Sequence, residues 1–129
     1  MRNDYISIIT PSYNSSEYIE ETIQSVLNQT YEKWELILVD DFSSDNTVSI
    51  IESFISLDSR IKLIKNTENK GAAVTRNTAI LESKYSYLAF LDSDDIWVKE
   101  KLEKQFFFMK SNKIAFSFSG YEIIDKNGN

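Results

Sequence analysis

Five short apolar runs punctuate the chain, at Ile6–Thr10, Trp34–Val39, Ile61–Ile64, Tyr87–Leu91 and Ile114–Ser119. β-Branched, leucine and aromatic residues dominate them, and each has the length of a strand. Leu36-Ile37-Leu38-Val39 is apolar without alternation, as expected of a strand covered on both faces. Between the runs the period changes. Ile19, Ile23, Val26 and Leu27 fall on one helical face, as do Val48, Ile51 and Ile55, and again Leu102, Phe106 and Met109. Ala72–Glu82 reads as a weaker helix, with Ala73, Ile80 and Leu81 as its buried side. Asn14-Ser15-Ser16 and Ser43-Ser44-Asp45 supply start signals for the first two helices, and the last helix is expected to begin near Val98. The resulting order is βαβαβαβαβ. Strict alternation predicts an α/β, Rossmann-like domain: a mostly parallel sheet with helices on both faces.

The 129 residues fit a single domain, and 42% hydrophobic residues suffice for a packed core. Phe116–Ile124 is strand-like and runs into Asp125-Lys126-Asn127-Gly128. Asn-Gly after a strand is a strong hairpin signal. The expectation is one domain, 1–129, incomplete at its C-terminus; the plainer alternative is a frayed polar tail.

Charge and missing residue types narrow the chemistry. Twenty acidic against 14 basic residues give a formal net charge of −6, which disfavours a duplex nucleic-acid partner. The chain has no Cys and no His. Disulfides, thiolate nucleophiles, His-based triads and ordinary zinc sites are therefore excluded. A metal would have to be held by oxygen, which favours Mg²⁺ or Mn²⁺. The N-terminal residues lack a signal-peptide apolar region, and no run approaches the ~20 residues of a membrane span. The expected location is the cytoplasm, with a peripheral place at the inner membrane face left open for a full-length protein.

Open parallel sheets bind ligands beyond the carboxyl ends of their strands. Here those ends read Thr10-Pro11-Ser12-Tyr13-Asn14, Asp40-Asp41-Phe42-Ser43-Ser44, Asn69-Lys70-Gly71 and Asp92-Ser93-Asp94-Asp95. Polar and acidic groups thus gather on one rim. Three carboxylates within four residues repel one another unless a cation neutralises them; the alternative is a solvated turn. Asp40 and Asp41 can cap a turn or accept a hydrogen bond from a base or ribose. Tyr13 can stack on a base or lie partly buried. Arg76 can pair with a diphosphate or form a surface ion pair, and Lys70-Gly71 can serve a phosphate or simply turn the chain. Trp97 is either a wall of the site or a core anchor. Phe106, Phe107 and Phe108 cannot all lie on one helical face, so at least one is expected to be exposed or covered by further sequence.

Together these blocks resemble the family 2 glycosyltransferases, inverting enzymes of the GT-A fold. The resemblance rests on Ser7–Asn14, Ser25–Tyr31, Val39–Asp45, Asn69–Gly71, Arg76-Asn77 and Phe90–Asp95, in the family's order. It implies a nucleotide-diphosphate-sugar site, with a UDP-sugar as donor and a glycan or lipid-linked acceptor in polysaccharide biosynthesis. The implied nucleotide-binding residues are Thr10, Pro11, Tyr13, Asn14, Asp41, Lys70, Arg76, Asp92, Ser93 and Asp94. Asp94 and Asp95 would hold Mn²⁺ or Mg²⁺. The family carries its catalytic base in a later segment, so the base is expected beyond Asn129 and the isolated chain is expected to be inactive. Exposed aromatics and an open sheet edge imply self-association. Three other readings compete. A D-x-D phosphatase wants its nucleophile after the strand opening its core. A receiver-like Mg²⁺ module wants an Asp after the third strand, where Lys65-Asn66-Thr67 stand. The last is a non-catalytic nucleotide-binding module.

Overall fold

The structure, a computed structural model, describes residues 5–112. Four of the five apolar runs form strands, β1 (Ile6–Ser12), β2 (Trp34–Asp40), β3 (Ile61–Lys65) and β4 (Tyr87–Phe90). Helices α1 (Ile19–Leu27), α2 (Thr47–Ile55) and α3 (Ala72–Glu82) connect them, and α4 (Lys101–Asn112) follows. The fifth expected strand and the Asn-Gly hairpin lie outside the described residues.

The strands pair in the order β3-β2-β1-β4, and every pair is parallel. β2 is buried along its whole length, as the apolar run Leu36–Val39 predicts for its centre, and the burial extends to Glu35 and Asp40. Its side chains alternate between two cores. Trp34, Leu36 and Leu38 join Ile6 and Ile8 of β1 beneath α1, α2 and α4, where Ile19, Ile23, Val26, Ile51, Leu102 and Phe106 close the layer. Ile37 and Val39 join Ile9 on the opposite face, under Ala79 of α3. Burial of each large aliphatic side chain contributes about 1.5–3 kcal/mol, so the central strands anchor the domain.

The weak helix packs differently from its sequence expectation. Thr75 and Ala79 form the buried side of α3, Ile80 is half-buried, and Ala73 and Leu81 face solvent, Leu81 at 85% exposure. The residues of its own that α3 buries are small, and this face is narrow, so the helix sits close to the sheet. The start signals are also redistributed. Ser15 accepts the Tyr18 and Ile19 N–H groups through its backbone oxygen. Asp45 accepts both the Thr47 N–H (3.0 Å) and its hydroxyl (2.6 Å) at the start of α2. The last helix begins at Lys101 rather than near Val98; a turn closed by Lys101 N–H to the Val98 carbonyl precedes it. Trp97 packs on the α1-side core, so it is an anchor. Phe106 is buried, whereas Phe107 and Phe108 are 60% and 51% exposed. Among the described residues no helix is long and apolar enough to cross a membrane.

Candidate functional site

The strand order locates the site. From β1 the chain steps to β2 and β3 in one direction, with α1 and α2 on one face. It then returns across the other face through α3 to place β4 on the far side of β1. The strand order thus reverses at β1, and the carboxyl ends of β1 and β4 lie side by side at this switch point. Pro11 fits there. Ile9 bonds toward β4, taking the Leu91 N–H at 3.0 Å, so Pro11 faces the same side after the ladder has ended. Its missing N–H costs no sheet bond.

Hydrogen bonds between loops fix the rim. Asn14 donates its N–H to Ser43 Oγ (2.8 Å), and its Oδ1 accepts the Ser44 N–H (2.9 Å). The Ser15 and Ser93 hydroxyls meet at 2.6 Å, and Thr22 Oγ1 donates to the Ser93 carbonyl at 3.0 Å. Buried Asp40 accepts from Ser12 Oγ, Ser43 N–H and Ser43 Oγ. Asp41, also buried, clamps the next loop. Its Oδ1 takes the Asn66 side-chain amide (3.0 Å) and the Lys70 N–H (2.7 Å), and its Oδ2 takes the Gly71 N–H (3.0 Å). Burial pushes this carboxyl up, but the bonds from Lys70, Asn66 and Gly71 outweigh it and hold the pKa below its ordinary value. Gly71 stands at φ 92°, where a side chain would be strained, and leads straight into α3.

Beyond β4, Asp92, Asp94 and Asp95 are exposed, and one oxygen of each lies within 4.8 Å of the others. Partial burial, then the charges of Asp94 and Asp92, raise the pKa of Asp95. Arg76 Nη2 stands 3.5 Å from Asp92 Oδ1. Arg76, Phe90, Asp92 and Asp95 line a shallow cavity of about 400 Å³. Three crowded carboxylates offering only oxygen suit a hard divalent cation, so the donor set fits Mg²⁺ or Mn²⁺.

The structure thus brings Asn14, Asp41, Lys70 and Ser93 into connected loops and sets Arg76 against Asp92. Tyr13 is on the rim with half its surface exposed. Thr10 is set apart: its side chain is fully buried and Oγ1 has no hydrogen-bond partner. Ser15, Thr22, Ser43 and Asn66 hold the site together; sequence marks Ser15 and Ser43 only as helix starts and assigns none of the four this bracing role, because the partners lie 25 or more residues away.

These features define an open parallel α/β domain with an acidic, cation-competent site at its switch point. The family model for glycosyl transferase family 2 matches residues 7–129, and the chain belongs to that family. It is 52% identical over 126 residues to the UDP-Glc:alpha-D-GlcNAc-diphosphoundecaprenol beta-1,3-glucosyltransferase WfgD of Escherichia coli, covering 97% of this chain and 49% of that protein. The fold matches S. aureus TarS 1–349 in complex with UDP with a TM-score of 0.79 at 32% identity, covering 84% of this chain and 33% of TarS. The mannosyltransferase PcManGT from Pyrobaculum calidifontis, in complex with GDP-Man and Mn²⁺, matches at 0.67 and 29% identity, covering 71% and 28%. The sheet order and its GT-A neighbours make this the GT-A fold expected from the sequence. The chain spans about half the length of the curated relatives it matches.

Proposed function

We propose that this chain is the donor-binding part of an inverting glycosyltransferase that moves a sugar from a nucleotide diphosphate, UDP by preference, to a hydroxyl of a glycan or lipid-linked acceptor. The observation that carries the reading is the Asp92, Asp94, Asp95 cluster facing Arg76 at the switch point of a family 2 domain. The UDP-Glc in the name of WfgD and the TarS complex with UDP support the choice of nucleotide. The diphosphoundecaprenol in the WfgD name supports a lipid-linked acceptor, and hence work at the inner membrane face.

In this reading Tyr13, Asn14 and Asp41 take the base side of the donor, with Thr10 and Pro11 shaping the floor. Lys70, Arg76, Asp92 and Ser93 serve the ribose and diphosphate. Asp94 and Asp95 would hold Mn²⁺ or Mg²⁺, which supplies charge neutralisation on the departing diphosphate. Arg76, already poised beside Asp92, adds a second positive charge there. The acceptor oxygen attacks the anomeric carbon from the face opposite the departing diphosphate, which inverts the centre. A carboxylate base must accept the hydroxyl proton. We assign it to the part of the relatives that this chain does not span, so the 129-residue chain binds donor without turning it over. Loss of such a base lowers the rate about 10²–10⁴-fold.

Calorimetry with UDP, with and without Mn²⁺, tests the reading. Binding should require Mn²⁺, and Asp94→Ala should weaken it about tenfold, ~1.4 kcal/mol. UDP binding indifferent to both metal and variant would remove the metal assignment. Multiple-turnover transfer by the purified chain would show that the base is already present.

A further inference from the structure

We propose that Phe42 is a second aromatic contact for the donor nucleobase, acting with Tyr13; the inference rests on the nucleotide-binding reading above. Phe42 combines two unfavourable features. Its backbone sits at φ 63°, in the left-handed region that a bulky side chain disfavours, and its ring is 56% exposed. Neither feature serves the core, since Phe42 belongs to neither buried cluster and stacks on no aromatic among the described residues. Glycine would adopt this φ without steric cost.

The surrounding bonds hold the strain in place. On one side Asp40 accepts the Ser43 N–H at 2.8 Å and its hydroxyl at 2.6 Å. On the other, Asp41 N–H donates to the Ser12 carbonyl (2.8 Å), and Asn69 Nδ2 donates to the Asp41 carbonyl (2.6 Å). The residue after Phe42 is then bonded to the residue after Tyr13, through Asn14 N–H to Ser43 Oγ. Tyr13 is likewise exposed, at 52%, and Asn14 also has positive φ, at 45°. Two left-handed residues, in loops stitched to one another, thus accompany two exposed aromatic rings at the carboxyl rim beside Asp41. Strain persisting at such a rim points to a use for the side chain it presents. A planar, uncharged ligand group suits exposed rings, and of the donor's parts only the nucleobase is one; the diphosphate and the sugar are not. Base-on-aromatic stacking is strong and tolerant of which base is present.

Phe42→Gly, Phe42→Tyr and the wild-type chain distinguish the outcomes. Each is titrated with UDP and with inorganic diphosphate, in Mn²⁺, and melted without ligand. The expected result for Phe42→Gly is an unchanged or higher melting midpoint, UDP affinity reduced at least fivefold, and diphosphate affinity unchanged. Phe42→Tyr should restore UDP affinity to within twofold. Undiminished UDP binding by Phe42→Gly would overturn this inference and leave nucleotide binding intact. So would equal losses for both ligands, or a fall in midpoint that Tyr reverses, because the ring would then serve the fold. Failure of the wild-type chain to bind UDP would overturn the nucleotide reading itself, and this inference with it.

Discussion

Asp41 shows how one side chain serves two levels of structure. Its carboxylate has about four acceptor positions, and Asn66, Lys70, Gly71 and Thr75 all draw on them. An incoming base N–H therefore has to share this carboxylate with the contacts that hold the loop. Asp41→Asn turns one of these acceptors into a donor facing an N–H group. It should destabilise the domain by about 1–3 kcal/mol in urea unfolding, and lower affinity for UDP more than for diphosphate. Equal affinity losses would make the residue purely structural. Acid stability offers a second test at this scale. Burial pushes the Asp45 carboxyl up, but bonds from Thr47 and Ser16 dominate and lower it to about 2. A depressed carboxylate stabilises the fold above its unfolded value, 3.8, and loses that contribution as pH falls through the folded value. Asp41, Asp58 and Glu35 shift in the same direction. Stability should thus decline from about pH 4 to about pH 2, with a shallower slope for Asp45→Asn in chemical unfolding at stepped pH.

At the scale of elements, β2 is the strand whose damage should cost most. Leu36 is 1% exposed within the larger core, and Leu36→Ala should destabilise by about 2–5 kcal/mol in urea unfolding. The same strand carries Glu35, a charge buried to 3% exposure. It accepts from Ser7 Oγ (2.6 Å), Lys62 Nζ (2.6 Å) and the Lys84 N–H (2.8 Å), so it ties β1, β3 and the α3–β4 turn together. Glu35→Ala strands these donors. We expect a loss of about 2 kcal/mol in urea unfolding, moderated because Lys62 keeps access to water. Glu35→Gln should recover part of it.

At the scale of the whole molecule, the side of β4 away from β1 is the weak point among the described residues. Among the described residues β4 pairs only with β1. Beside it the described residues form a groove of about 320 Å³, lined by Tyr87, Ala89, Phe106 and Met109 among others, and Phe107 and Phe108 are exposed on α4. An unpaired strand edge next to exposed aromatics promotes association. Sedimentation of the 129-residue chain should show mass rising with concentration, and Phe107→Ser with Phe108→Ser should suppress the rise. A concentration-independent monomer would contradict this.

The alternation of apolar runs and helical faces was enough to read four strands, four helices, a parallel sheet and the rim where polar and acidic residues gather. These are properties of local periodicity, and the blocks around Asp41 and Asp92 marked the family for the same reason: their residues are close in sequence. What sequence could not give depends on separation along the chain. Periodicity placed Leu81 inside, but the sheet face beneath α3 selects Thr75 and Ala79 instead. Nothing local announces that Glu35 is buried, because its partners Ser7, Lys62 and Lys84 come from three other segments. The left-handed backbone of Phe42 is likewise held by Asp40, Asn69 and Ser12 acting on its neighbours. Side-chain chemistry and period are written residue by residue, whereas burial, partner choice and backbone strain arise only when distant segments compete for the same space and the same donors.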